Sequence, residues 1–377
     1  MKIIYIANIR IPTEKAHGVQ IMEMCSAFSN AGNDVTLVVP NRSNNIKETP
    51  FEFYDIKENF KIVRLPTLNL IKFGKIGFLI QSIMFAKFST IYALFKKSDI
   101  IYSRDELPLW FLSFFKKNLV LEIHVAKKNF VSKRVFEKVR GVIAITKGLR
   151  DLYINKYKIN ENKIFVAPDG VDLNKIKREI SKYEARNLLG LPVDKKIILY
   201  AGSFFVYEWK GVNILLKASK KFGDDFLFVL VGGKDYEIQE IKKGDTLYNV
   251  MLIGHRPYKE IQYYMKSADV LVLPNKKGDQ TSEKYTSPMK LFEYMASGNP
   301  IVASDLPSIR EILNETNSVL VEPNSSDKLA ESIKKVFNNE NIADKIGKQS
   351  LVDIQNYSWE KRVVSILNFY NKIQIKL

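Results

Sequence analysis

Cysteine is almost absent from this chain. Cys25 is the only one in 377 residues. That excludes a disulfide framework and a cysteine metal cluster, and it suits a reducing cytoplasm. Histidine is scarce too: His17, His124 and His255 make three, and none stands in a zinc-ligand spacing. Long apolar runs are missing. The least polar region, Ile71–Phe95, holds an uncharged stretch of only 11 residues, Ile76–Ala86, where a membrane crossing needs about 20. The opening Met1-Lys-Ile-Ile-Tyr-Ile runs straight into a strand pattern, so no export signal is expected. No Gly-x-Gly-x-x-Gly follows that strand, which argues against a dinucleotide-binding oxidoreductase. Internal repeats, low-complexity tracts and nucleic-acid-binding motifs are absent as well.

What is present points to a two-domain globular protein with an anionic partner. Hydrophobic residues make up 46% and charged residues 26%, ordinary values for a soluble fold, and the length suits two cores rather than one. The net charge is +17 and unevenly spread. Residues 1–180 hold 30 Lys+Arg against 17 Asp+Glu, giving +13, while residues 181–377 hold 28 against 24, giving +4. The basic first half calls for an anionic surface or substrate. Without a nucleic-acid motif, an anionic membrane face is the expected partner. Lys72, Lys75, Lys87, Lys96 and Lys97 surround the Ile71–Phe95 region. That region either packs as a core helix on the first sheet or lies in a membrane interface with its lysines at the headgroups. The two readings are compatible at different faces.

Strand and helix patterns alternate through both halves. Lys2–Ala7, Asp34–Pro40, Asp99–Tyr102, Leu119–Ile123 and Gly141–Ile145 read as strands, with a helix over Val19–Ala31. The pattern restarts near Lys195. Strands are expected at Ile197–Ala201, Phe226–Val231, Val250–Gly254, Val270–Leu273, Pro300–Ala303 and Val319–Val321. Helices are expected at Val212–Lys220, Pro307–Leu313 and Asp327–Phe337. Such alternation predicts two parallel sheets covered by helices on both faces. Ligands bind such sheets outside the carboxyl ends of the strands.

The most informative stretch is Tyr285-Thr-Ser-Pro-Met-Lys-Leu-Phe-Glu-Tyr-Met-Ala-Ser-Gly-Asn-Pro300. Ser287 is a good N-cap and Pro288 suits the first helical position. Leu291, Phe292, Met295 and Ala296 recur at helical spacing, and Gly298 with Pro300 ends the helix. A helix start of this kind presents free amides and a positive dipole end to phosphate. Lys290 in the first turn opposes that dipole, which makes sense if an anion lies in front of it. Glu293 sits one turn further in.

This segment resembles the donor-binding signature of retaining glycosyltransferase family 4, which has the GT-B fold. Other stretches match that family in order and spacing: Pro12–Gln20 with Gly18; Ala144–Leu149 followed by Val166-Ala-Pro-Asp-Gly-Val-Asp172; Ala201-Gly-Ser203 through Trp209-Lys-Gly211; and Ala268–Pro274. The resemblance implies an α/β GT-B fold, two Rossmann-like doubly wound domains facing each other across a cleft. The acceptor-side domain would span residues 1–172 with the helix 357–377 crossing back onto it, and the donor domain residues 173–356.

The resemblance also implies roles. Glu293 would bind the nucleotide ribose and Lys210 the donor phosphate, and His124, at the end of Leu119–Ile123, would contact the donor sugar near the acceptor. His124, Lys210 and Glu293 are thus the candidate catalytic residues. Gly18, Ser203, Lys290, Thr286, Ser287, Pro288 and Met289 would line the phosphates, with Gly18 letting a loop approach them closely. Tyr285 and His124 would shape the sugar pocket. His255, Arg256 and Pro257 would lie at the base, the His255 side chain in a structural role. His17 would sit on a mobile first loop near the acceptor. Two positions depart from the family pattern. Tyr285 stands where a glutamate is usual, and Ser203 where an arginine is usual, so Lys290 is expected to supply the missing positive charge. Asp105 and Glu122 lie near strand ends. They are possible acceptor-side bases, though solvated surface carboxylates are the simpler expectation.

The function implied is retaining transfer of a sugar from a UDP- or GDP-linked donor to a glycan acceptor, without a cofactor or required metal. The basic first half suggests a lipid-linked acceptor at the cytoplasmic face of the cell membrane, in surface polysaccharide biosynthesis. Two alternatives stay open: a nucleotide-sugar epimerase of the same architecture, and a non-catalytic donor-binding subunit.

Overall fold

The computed structural model describes residues 1–126, 130–176, 180–205, 208–244 and 247–375. They form two compact units: Met1–Asp169 with Trp359–Leu377, and Gly170–Ser358.

The first unit is built on seven parallel strands: β1 (Lys2–Ile6), β2 (Asp34–Pro40), β3 (Lys61–Leu65), β4 (Ile100–Ser103), β5 (Leu119–Ile123), β6 (Gly141–Ala144) and β7 (Ile164–Val166). Their order across the sheet is β3-β2-β1-β4-β5-β6-β7. The central strands are buried at nearly every position, as parallel sheets covered on both faces must be. The chain order reverses between β1 and β4, and a sheet of this kind takes ligands beyond the carboxyl ends at that switch point. Helix Trp359–Ile375 belongs to this unit and packs against helix Ala16–Asn30.

The second unit repeats the scheme with six parallel strands: β8 (Lys196–Ala201), β9 (Phe226–Gly233), β10 (Val250–Gly254), β11 (Val270–Leu273), β12 (Ile301–Ser304) and β13 (Val319–Val321), ordered β10-β9-β8-β11-β12-β13. Alternate residues feed opposite cores. Ile197, Leu199, Val229 and Leu271 enter one, while Ile198, Tyr200, Phe228 and Val272 enter the other. Period-2 alternation with both faces apolar is the signature of a doubly wound sheet. The switch point lies between β8 and β11.

Strands β3 and β7 fall outside the sequence-based expectation. The edge strand β3, Lys-Ile-Val-Arg-Leu, is only half-buried, and β7 has three residues; neither carries a sustained apolar run. The first helix begins at Ala16 rather than Val19, which moves Gly18 and His17 out of a loop. Helix Pro307–Arg310 stops three residues short of the expected Leu313.

Candidate functional site

In the second unit, β8 ends at Ala201 and the chain turns through Gly202, whose φ is +137°. A Cβ at Gly232 would lie 2.9 Å from the Gly202 carbonyl oxygen, so β9 must carry glycine there for the loop to close. Lys210 precedes Gly211, the N-cap of helix Val212–Ser219, with φ +72°. A Cβ on Gly211 would stand 1.7 Å from the Pro274 carbonyl oxygen. The loop after β8 is thereby pressed against the end of β11, and Lys210 is fixed in place. Its Nζ donates to Ser203 Oγ at 2.7 Å. Burial pushes the Lys210 ammonium down to about 8, against a smaller upward pull from Glu237. Glu237 is itself buried and accepts from the Phe205 and Lys234 amides at 2.7 and 2.8 Å, pinning the same loop.

The donor-helix expectation needs one correction. Helix Met289–Ser297 starts one residue later than its sequence suggests: Pro288 is the N-cap, and no side chain caps the end. Proline gives no N–H and no side-chain acceptor, so the first-turn amides of Met289 and Lys290 have no side-chain partner at the cap. Tyr285, Thr286, Ser287 and Met289 are half-exposed around this helix mouth.

Lys290 is the anomaly of the site. Its Nζ is buried and has no hydrogen-bond partner among the described residues. It lies 3.8 Å from the Tyr200 ring centroid, an attraction the ring face offers a cation. Burial, then the charge of Lys210, push its ammonium well below the ordinary lysine range, and Glu293 only partly opposes this. A Cβ on Gly202 would sit 3.4 Å from the same Nζ. Two ammonium groups, a glycine turn and a helix mouth thus converge at the switch point of the second sheet. Buried charges are normally paired, and this pair of like charges is the arrangement an anion would complete.

Glu293 is 7% exposed and accepts from the Tyr258 hydroxyl at 2.7 Å. Burial raises its carboxyl, against the lowering pull of that bond and of Lys290. Next to it, the Tyr294 hydroxyl accepts from the Ala201 amide at 2.8 Å, tying the helix to β8. His255, Arg256 and Pro257 are exposed between β10 and helix Tyr258–Ser267. The expected structural role for the His255 side chain is therefore not met: it faces solvent.

In the first unit, the carboxyl ends of β1, β4 and β5 frame a cavity of about 180 Å³ lined by His17, Arg104, Asp105, Glu122 and His124. Glu122 is not a solvated carboxylate. It is fully buried and accepts from Gln20 at 2.7 Å, from Arg362 at 3.2 and 3.3 Å, and from the Tyr102 hydroxyl and His124 Nε2. Burial alone would raise its carboxyl, yet Arg362, His124 and Arg104 hold it well below the usual range. Burial, with Arg104, lowers His124 in spite of Glu122. The Nε2 of His124 is turned to Glu122. Burial and Arg104 push His17 down to about 4. Asp105 accepts from the Asn8 amide at 2.7 Å and fastens the chain as it leaves β1.

Gly18 also needs a new account. It lies in the first turn of helix Ala16–Asn30, where a Cβ would meet the Tyr54 hydroxyl at 2.2 Å. That hydroxyl accepts from the Thr13 amide and donates to the Thr13 carbonyl, both at 2.7 Å. Packing by itself therefore calls for glycine at position 18, in a helix rather than in a loop. Glu122, His124 and Asp169 bring ligand atoms within 4.8 Å of one another. Arg362 and Arg104 stand beside them, so a cation there would face two guanidinium groups.

Tyr258, Tyr200, Gln20 and Arg362 carry no local sequence signal. Each reaches its partner from a distant segment, Arg362 from 240 residues away.

Comparison with known proteins agrees with this geometry. The family described as Glycosyltransferase Family 4 matches residues 17–175, and that described as Glycosyl transferases group 1 matches residues 181–351. An uncharacterized glycosyltransferase of Methanocaldococcus jannaschii is 27% identical over 90% of this chain and 94% of its own length. A phosphatidyl-myo-inositol mannosyltransferase of Mycobacterium leprae is 24% identical over 71% of this chain and 70% of its own. Anabaena HepE, solved in complex with UDP and glucose, superposes with a TM-score of 0.73 at 17% identity, covering 98% of this chain and 99% of that one. Fold and site together define a glycosyltransferase of the GT-B class. Within that class, it is a glycosyltransferase of the family 4 type.

Proposed function

We propose that the protein is a retaining glycosyltransferase that uses a nucleotide-diphosphate sugar and needs no metal. The observation that carries this reading is the buried, hydrogen-bond-free Lys290 ammonium beside Lys210. Breaking the bond between the sugar C1 and the diphosphate oxygen leaves new negative charge on that phosphate. Fixed cations and N–H donors aimed there stabilise the transition state. Lys210, Lys290 and the amides of Met289 and Lys290 fill that role, with Ser203 holding Lys210 and the sugar-side surface formed by Tyr285, Thr286 and Ser287. Glu293, kept in place by Tyr258, receives the ribose hydroxyls, and the backbone of 255–257 borders the base. The acceptor oxygen bonds to C1 on the face the phosphate leaves, and its proton passes to the departing phosphate oxygen. No protein nucleophile is consumed. His124, steered by Glu122, offers its remaining nitrogen to the acceptor hydroxyl.

The UDP and glucose bound by HepE favour a UDP-linked donor. The mannosyltransferase relative is named for a phosphatidylinositol acceptor. With the basic first half, that favours a lipid-linked acceptor at the cytoplasmic membrane face and a place in surface polysaccharide synthesis.

The test is a thermal-shift panel of UDP, GDP and their sugars, followed by product analysis. A nucleoside diphosphate should raise the melting temperature of the wild type and leave Lys210→Ala/Lys290→Met unmoved. An equal shift in that double variant would overturn the phosphate assignment, and an inverted product anomer would overturn retention.

A further inference from the structure

Helix Gly74–Leu94 carries its polarity the wrong way round. A surface helix ordinarily turns its apolar stripe to the core and its polar side to water. Here Gln81, Ser82, Ser89 and Thr90 face inward, at 0, 9, 0 and 6% exposure. Ile76, Leu79, Ile80, Phe88 and Ile91 face outward, at 72, 57, 44, 37 and 51%. Phe73 before the helix and Phe95 after it are 63 and 85% exposed. A contiguous apolar face of this kind marks an interaction site.

The inward polar groups are bonded, and because Gln81 and Ser82 bond to residues outside the helix it cannot roll over to hide that face. Gln81 accepts from Arg42 and donates to Asn8 Oδ1 at 3.3 Å. Ser82 Oγ accepts from Asn8 Nδ2 at 2.9 Å and donates to the Phe78 carbonyl at 2.7 Å. Ser89 and Thr90 both donate to the Ala86 carbonyl, at 3.1 and 2.7 Å. By length and composition this helix could cross a membrane, but the bonds of Gln81 and Ser82 to Arg42 and Asn8 keep its inner side on the domain. A helix so held lies along a surface.

The surroundings select the occupant. Residues 59–98 contain seven Lys or Arg and no Asp or Glu. Lys72, Lys75, Lys87, Lys96 and Lys97 are all exposed around the apolar face. An apolar protein partner or a second copy of this chain would gain nothing from that ring of like charge. An anionic bilayer meets both features at once, with acyl chains against the apolar residues and headgroups against the lysines.

We propose that the outer face of helix 74–94 docks the enzyme on an anionic lipid bilayer. The proposal deepens the lipid-linked acceptor reading and rests on it for its purpose. The residues that anchor the helix, Gln81 and Ser82, hold Asn8, whose amide binds Asp105 in the cavity that contains His17 and His124. Docking therefore sets the acceptor cavity beside the membrane surface that would supply the acceptor.

The experiment is cosedimentation of the full chain with vesicles of phosphatidylcholine alone or mixed with phosphatidylglycerol, alongside the UDP thermal shift. Wild type should bind the anionic vesicles at least about tenfold more tightly than the neutral ones. Ile76→Ser/Leu79→Ser/Ile80→Ser, which alters only exposed side chains, should lose about tenfold or more in binding. Lys87→Ser/Lys96→Ser/Lys97→Ser should lose the preference for anionic lipid. Both variants should keep the UDP shift, which reads the second unit and confirms folding. Equal binding of wild type to both vesicles, or unchanged binding by the triple-serine variant, would overturn the proposal. So would a solution dimer that the triple-serine variant abolishes. Loss of the UDP response in wild type with vesicle binding intact would sink the donor reading and leave the docking face standing.

Discussion

Arg362 reaches Glu122 across 240 residues of sequence and closes a buried ion pair at 3.2 and 3.3 Å. The guanidinium also donates to the Pro168 and Ala167 carbonyls at 2.7 and 3.1 Å. The last helix is thereby bonded to the end of the first unit's main segment and to the carboxylate that orients His124. Removing one member of a buried pair strands the other charge and costs about 3–5 kcal/mol. Arg362→Met should therefore lower stability by about that much in urea unfolding. Glu122→Gln/Arg362→Met, which leaves no charge behind, should recover most of the loss.

Gly18→Ala tests the contact that replaces the expected phosphate-loop role. The new methyl would press on the Tyr54 hydroxyl. Overpacking of this kind costs about 1–3 kcal/mol. Adding Tyr54→Phe should relieve part of it, although the two bonds to Thr13 are lost. A melting-temperature comparison of the single and double variants reads the coupling, and a harmless Gly18→Ala would remove the packing account.

Lys290→Met should stabilise the ligand-free protein while abolishing its function. A buried polar group without a partner costs about 1–3 kcal/mol, and methionine fills similar space without charge. The variant should melt higher than wild type, show no UDP-induced shift and lose glycosyl transfer. A variant that melts lower and still binds UDP would contradict the anion-site reading.

The pH dependence of donor binding follows from Lys210. Its folded-state value is depressed from 10.5 to about 8. Between those values the unfolded chain binds more protons, so this group makes ligand-free stability rise with pH across about 8 to 10.5. A diphosphate needs the ammonium form. Through this group UDP affinity should fall above about pH 8, by up to about tenfold per pH unit if one proton is taken up. Isothermal titration in two buffers of different ionisation enthalpy would detect that proton uptake, and Lys210→Ala should flatten the profile.

Most strands were legible, because doubly covered parallel strands are short apolar runs set between helices and glycines. β3 was not, since an edge strand with Lys61 and Arg64 lacks that signal. The donor helix was legible through Pro288, its apolar spacing and Gly298. Its cap was misplaced by one residue, because Ser287 and Pro288 are both acceptable there and only backbone geometry separates them. Gly18 was recognised as a position that needs glycine, but the Tyr54 hydroxyl that requires it comes from a separate helix.

Local chemistry settled much in advance. Parallel α/β architecture follows from period-2 apolar runs alternating with helical spacing, and the bounds of helix Met289–Ser297 follow from proline before it and glycine after it. These are interactions between residues a few positions apart, so they are written in the chain order. The environment of each charged group was decided only by folding. Glu122 became a buried anion because Arg362 arrives from the far end of the chain, and the Lys290 amine became buried because Tyr200 and Gly202 close around it. Desolvation and long-range pairing depend on what surrounds a group in space, and adjacency in sequence does not carry that information.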